Sequence, residues 1–173
     1  ELDKRSVLLG RYVEYNRVTG TACNPEKFQE VYEGKLANSC ILFPETRSVI
    51  EELKKRGYRI YVITNGVTVV QNTRLDASGL RPFISGTFIS DEIGYAKPSR
   101  EYFNAVRTAI PDFTPDKTLI IGDSLVSDIP LGLNNGIKTC RANYRKDGND
   151  RGVRYDYEIF NLKDLFNVLG EKL

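Results

Sequence analysis

The stretch TLIIGDSLVSD, residues 118–128, runs from an apolar segment into glycine, aspartate and serine, and meets a second aspartate five residues after the first. Leu119, Ile120 and Ile121 are apolar at consecutive positions, so both faces of the segment need cover. A run this short, rich in β-branched residues, reads as a strand buried in a parallel sheet with helices on each side. Asp123 and Asp128 then stand where that strand ends and the next helix begins. Outward from this stretch the same grammar recurs. From Tyr58 onward, short apolar runs end at polar or glycine-containing turns and alternate with helical segments. Strands are predicted at 59–63, 86–89, 118–121, 137–140 and 157–160, and helices near 67–77, 99–110, 127–135 and 161–169. The fold class is α/β.

Upstream the pattern is helical only. Val7, Leu8, Tyr12 and Tyr15 recur at helical spacing over residues 4–17, as do Phe28, Val31, Tyr32 and Leu36 over 25–37. Asn24 followed by Pro25 is an N-cap and first-turn pair for the second of these helices. A third helix is predicted from Pro44, with Val49, Ile50 and Leu53 on one face and Gly57 closing it. This divides the chain into a helical segment, 1–43, and an α/β body, 44–173. The segment Asn143–Arg154, rich in charge and glycine, reads as a surface loop.

A length of 173 residues suits one well-cored domain with a small insertion. Twenty-five basic residues against 23 acids give a formal charge of +2, so neither a nucleic-acid polymer nor a membrane is an expected partner. No apolar run approaches the roughly 20 residues that span a bilayer, and Glu1–Arg5 has no signal or transit character. A cytoplasmic location is the expectation. Cys23, Cys40 and Cys140 are too widely spaced for a disulfide framework or a zinc cluster, and are read as reduced and structural. The sequence contains no histidine, which removes imidazole as base or ligand and most zinc chemistry with it. It also contains no methionine, even at position 1, so it is expected to start inside a longer protein or to omit modified residues.

In open parallel sheets, ligands bind beyond the carboxyl ends of the strands. At one such end, Asp123 and Asp128 make a hard, oxygen-rich corner suited to magnesium. Asp128 has the alternative of simply capping its helix. Asp123, directly after an apolar strand, needs a partner or a metal. At another end, YRIYVIT runs into Thr64-Asn65-Gly66, whose hydroxyl, amide and backbone N–H groups precede a helix and can hold a phosphoryl oxygen. The same T-N-G is also a good turn. In GYAKP, Lys97 lies in a short loop before a helix that Pro98 helps to start. A lone lysine is ordinarily solvated surface, but here hydroxyl, lysine and paired aspartates follow one another at successive strand ends.

On these residues the chain resembles the haloacid dehalogenase-like hydrolases over residues 44–169. It carries their second motif as VITNG, their third as GYAKPSREYF and their fourth as IIGDSLVSDI, with Gln71, Arg74 and Leu75 continuing the likeness from Thr64 to Leu80. Among subgroups it looks most like the pyrimidine 5′-nucleotidase-like phosphatases, with RYVEYN in a small helical cap over a Rossmann-like core. The resemblance implies that Thr64 bonds the transferring phosphoryl group, with Asn65 and Gly66 helping to cradle it. It implies that Lys97 pairs with phosphate and nucleophile and stabilises charge in the transition state. It also implies that Asp123 ligates Mg2+ directly, and Asp128 directly or through water. The metal-free dehalogenases share the fold but lack this acid pair. The implied substrate is a small phosphorylated metabolite, such as a nucleoside monophosphate, handled by a monomer or homodimer.

Family members use an aspartate on their first strand as nucleophile, forming an aspartyl-phosphate, and another two residues later as general acid and base. No D-x-D occurs in this sequence, and Asp3 has no strand before it. Two readings compete: a module that binds a phosphorylated ligand or partner without turnover, and a working phosphatase whose nucleophile lies outside these residues. Physics favours the second. The family's first strand lies between the strands ending at Thr64 and Asp123. Without it, several buried backbone groups would go unpaired at about 1–3 kcal/mol each, against a typical domain stability of roughly 5–15 kcal/mol. The helical segment is shorter than the family's caps, and none of Arg11, Tyr12, Tyr15, Asn16 or Arg17 can be given a substrate contact. Tyr12 and Tyr15 are read as packing residues.

Overall fold

The computed structural model describes residues 4–149 and 152–170. Asp3, and Asp150 and Arg151 of the expected surface loop, lie outside the described residues. The chain divides into two compact units, Glu1–Ile41 with Val69–Gly79, and Leu42–Thr68 with Leu80–Leu173.

The first unit contains helices α1 (Lys4–Thr19) and α2 (Pro25–Ala37). Asn24 caps α2 as its sequence suggests, its side chain accepting from Lys27 N at 2.9 Å. Tyr12 is buried between the helices, its ring 4.7 Å from that of Phe28. Tyr15 meets the same phenylalanine at 5.8 Å but stays largely exposed. Most of helix α4 (Thr68–Ala77) also belongs to this unit.

The second unit alternates strands and helices. Helix α3 (Thr46–Lys55) begins two residues after Pro44, and Gly57 follows it at φ +86°, a conformation that favours glycine. Then come β1 (Tyr61–Thr64), β2 (Gly86–Ile89), the short α5 (Ser90–Ile93) and α6 (Arg100–Ala109). They are followed by β3 (Leu119–Gly122), α7 (Asp128–Leu133), β4 (Lys138–Ala142), β5 (Tyr157–Ile159) and α8 (Leu165–Val168). The expected helix at 161–169 is a 3₁₀ turn, Leu162–Asp164, closed by a capping box between Asn161 and Asp164 and continued by α8. Pro98 does not start α6. Ser99 does, its hydroxyl accepting from Tyr102 N at 3.2 Å.

All strand pairings among the described residues are parallel. β1 pairs with β2 from Tyr61↔Gly86 to Thr64↔Ile89, and β3–β4–β5 form a second sheet with Gly122 opposite Arg141. Alternation of side chains places helices on both faces. Ile63, Phe88 and Ile120 pack with Tyr102, Phe103 and Val106 of α6 and Leu131 of α7. Ile60 and Leu119 pack the other way, with Val49 and Leu53 of α3 and with Leu165 and Phe166 of α8. Among the described residues, β1 and β3 are each the edge of a separate sheet. A cleft of about 760 Å³ lies between them, lined by Tyr61 and Ile63 on one side and Leu119, Ile120 and Ile121 on the other. No helix among the described residues is long and apolar enough to cross a membrane.

Candidate active site

Parallel strands deliver their carboxyl ends to one edge of a sheet, and the candidate residues follow directly. Thr64 ends β1, Asp123 follows β3 and Asp128 opens α7. Lys97 lies in the segment between α5 and α6. Its ammonium group links β1 to the start of α7. Nζ donates to Ile63 O at 2.9 Å and to Asp128 Oδ1 at 2.6 Å. The lysine and aspartate side chains are only 7% and 10% exposed, so this is a buried ion pair. An ammonium group carries three donors, and this geometry leaves one of them for a ligand.

Asp128 is seated as much by what is missing as by what binds it. Its Oδ2 accepts from Ser124 N at 3.1 Å. A β-carbon on Gly122 would lie 2.3–2.5 Å from Oδ2, Cγ and Cβ of Asp128, so only glycine at 122 lets the carboxylate lie there. The Ser124 hydroxyl accepts from Val126 N and Ser127 N at 3.3 and 3.1 Å, shaping the turn that brings Asp128 back over the strand end. Asp123 is exposed, and no hydrogen bond or ion pair of its side chain is present among the described residues.

At the end of β1, the Thr64 hydroxyl accepts from Gly66 N at 3.2 Å, which leaves its own O–H free to donate. The start of α4 is occupied from within the protein, because Thr68 N donates to Asp91 Oδ2 at 3.0 Å. The Asn65 carboxamide does not stand open either. Its Oδ1 accepts from Lys97 N at 2.7 Å and its Nδ2 donates to Lys97 O at 3.0 Å. Beneath the site, Tyr102 is fully buried and donates its hydroxyl to Phe88 O at 2.7 Å. Burial above all pushes the Tyr102 pKa up, opposed by a hydrogen bond with the Thr64 backbone and reinforced by the charge of Asp128.

Thr64, Lys97 and Asp128 are thus linked in space through Ile63 and the ammonium group. Gly122, Ser124, Asp91 and Tyr102 were not nominated from sequence. Tyr102 carried a signal: it shares an apolar helical face with Phe103 and Val106, and a buried tyrosine hydroxyl requires an acceptor. Asp123 and Asp128 suit a hard cation, since Mg2+ is held by one or two carboxylates and keeps several waters. No group of three or more metal-ligating side chains occurs among the described residues. Asp123 and Asp128 would hold such an ion only with water completing its coordination.

Comparison with known proteins bears on the whole arrangement. A family model for haloacid dehalogenase-like hydrolases matches residues 8–136. The chain is 43% identical over 113 residues to the putative HAD-hydrolase YfnB of Bacillus subtilis (strain 168), covering 65% of this chain and 48% of that protein. It is 33% identical over 142 residues to the pyrimidine 5′-nucleotidase PynA of Streptococcus pneumoniae, covering 82% and 60% of the two chains. Against the pyrimidine 5′-nucleotidase YjjG of Escherichia coli it is 29% identical over 145 residues, covering 84% and 64%. It spans between about half and two thirds of these curated relatives' lengths. The crystal structure of YfnB bound to magnesium matches with a TM-score of 0.89 at 33% identity, over 97% of this chain and 73% of that one.

Proposed function

Because the chain belongs to the haloacid dehalogenase-like hydrolases, we propose that the protein is a Mg2+-dependent phosphatase acting on a small phosphate monoester, with nucleoside monophosphates the favoured class. The observation that carries this reading is the position of Lys97 Nζ, 2.9 Å from Ile63 O and 2.6 Å from Asp128 Oδ1. It brings the hydroxyl-bearing end of β1, a cation and a carboxylate to one place. Such a place suits a phosphoryl group that must be held while charge shifts from one oxygen to another.

In this reading the Thr64 hydroxyl donates to a phosphoryl oxygen. The remaining Lys97 N–H donates to another and offsets the negative charge that grows there. Asp123 and Asp128 would hold Mg2+, which would supply charge neutralisation to the phosphoryl oxygens. The nucleophile and its acid–base partner are not among these 173 residues. We propose that they arrive on a strand filling the cleft between β1 and β3, pairing both edges at once. The nucleotidase assignments of PynA and YjjG support the substrate class.

The test is a panel of phosphate esters, including pyrimidine nucleoside monophosphates, presented to the intact protein with Mg2+. Hydrolysis should disappear with EDTA, return on adding Mg2+, and be lost in Asp123→Asn. An intact protein carrying a D-x-D strand that hydrolyses nothing on the panel would refute the reading.

A further inference from the structure

We propose that Asn65 is a positioning residue for Lys97 and not a ligand of the phosphoryl group. The catalytic consequence rests on the phosphatase reading above, whereas the geometry stands without it. The carboxamide of Asn65 meets the main chain of Lys97 much as one peptide meets another across a ladder. Oδ1 takes the Lys97 N–H at 2.7 Å and Nδ2 gives a hydrogen to the Lys97 carbonyl at 3.0 Å, across 32 positions of sequence. The two partners also fix which way the amide faces, because an N–H requires the oxygen and a carbonyl requires the nitrogen.

Lysine carries a point charge on a flexible four-carbon stem, so aiming it demands restraint at more than its tip. Here the tip is bound by Ile63 O and Asp128, and the main chain is bound by Asn65. Asn65 itself sits in the turn directly after β1, next to Thr64. The same pairing therefore sets the spacing between the hydroxyl and the ammonium group, which reach the site from different loops. The side chain spends one donor and its acceptor oxygen on this task, in the plane of the Lys97 peptide. Asn65 is exposed, so truncating it opens no cavity in the core and the variant should fold.

The experiment compares the intact protein with Asn65→Ala, Asn65→Asp, Lys97→Met and the Asn65→Ala/Lys97→Met double variant. The first readout needs no activity: the rate at which an amine-reactive acylating reagent labels Lys97, measured by mass spectrometry against Lys55, whose side chain is 81% exposed. Lys97 should label more slowly than Lys55 in the parent. It should label about 5- to 30-fold faster in Asn65→Ala, the range for losing one to two ordinary hydrogen bonds. Asn65→Asp, which keeps the acceptor but not the donor, should fall between. The second readout is inorganic phosphate binding by calorimetry, with kcat and KM on the best ester. The effect of Asn65→Ala should vanish in the Lys97→Met background, as it must if Asn65 acts only through Lys97. Parent-like labelling of Lys97 in a folded Asn65→Ala protein would overturn the proposal. So would an undiminished loss of phosphate affinity from Asn65→Ala when Lys97 is already absent, because Asn65 would then touch the anion itself. If the parent hydrolyses no ester, the phosphatase reading fails while the labelling rates still decide the clamp.

Discussion

Replacing Gly122 by alanine tests the seating of Asp128 most directly. The added methyl would lie 2.3 Å from Asp128 Oδ2, 2.4 Å from Cγ and 2.5 Å from Cβ. Ordinary contacts between such atoms begin near 3.4 Å, so Asp128 or the backbone must move by about 1 Å. A shift of that size disrupts both the 2.6 Å bond from Lys97 Nζ and the 3.1 Å bond from Ser124 N. Overpacking alone costs about 1–3 kcal/mol, and breaking a buried ion pair by removing a partner costs about 3–5 kcal/mol. Since the pair is stretched and not deleted, a loss of about 2–4 kcal/mol is expected. For a protein of this size that lowers Tm by about 5–15 °C, readable by calorimetry on the intact protein. In an Asp128→Gly background all three struck atoms are gone, and the alanine should cost less than about 1 kcal/mol. A Gly122→Ala protein melting within about 1 °C of the parent would refute the argument, because the carboxylate could not then lie against residue 122.

Gly10 and Gly34 lie inside α1 and α2 with nothing within 4 Å of an added β-carbon, so alanine at either should stabilise the protein by about 0.4–1 kcal/mol in denaturant titrations. Burial above all, then Asp164 and Glu158, pushes the Cys140 thiol up to about 11. A thiol-alkylating reagent at pH 8 should therefore label exposed Cys23 in the native protein and reach Cys140 only on unfolding. Burial works against the Asp164 carboxylate, but hydrogen bonds from the backbone N–H groups of Phe160 and Asn161, and from the Asn161 side chain, outweigh it and hold its pKa below the usual value. A depressed folded pKa stabilises above the unfolded value of about 3.9 and is lost as pH falls through the folded one. Asp164→Asn should accordingly flatten the pH dependence of unfolding below about pH 4.

The fold was legible because its signals are local. Parallel strands buried on both faces write continuous apolar runs, and TLII and YVIT read as strands for that reason. Asn24-Pro25 starts a helix with a bond three residues long. Where the sequence misled, a choice between neighbouring residues was at stake. Pro98 and Ser99 each can begin a helix, and only the side-chain bond to Tyr102 N decides for Ser99. The site was legible as a set of residues and not as a set of bonds. Nothing in T-N-G says that the asparagine reaches across 32 residues to another loop, because that pairing exists only once β1 and β2 lie side by side. Gly122 is harder still: its contribution is empty space, which one sequence cannot record.

Formal charge at the strand ends argues for why a divalent cation belongs to the proposed reaction. Lys97 and Asp128 form a buried pair that sums to zero, and Asp123 adds one exposed negative charge with no partner among the described residues. Left so, the site repels a phosphate monoester, which carries close to two negative charges at neutral pH. Counting these residues alone, a cation of charge +2 at Asp123 and Asp128 would turn the local sum from −1 to +1, and the aspartates proposed to arrive between β1 and β3 would add further negative charge for it to offset. It would also weaken the hold of Asp128 on Lys97, since the carboxylate would share its charge with the metal, and the ammonium group would become more available to phosphate. Metal and phosphate should therefore bind with positive coupling, each raising the affinity for the other by the same factor. Inorganic phosphate titrated into the intact protein by calorimetry should bind several-fold more tightly with Mg2+ than with EDTA, and in Asp123→Asn that difference should shrink. Equal affinity in the two buffers would show that Asp123 exerts no repulsion a metal must cancel, and the electrostatic case for the metal would fall with it.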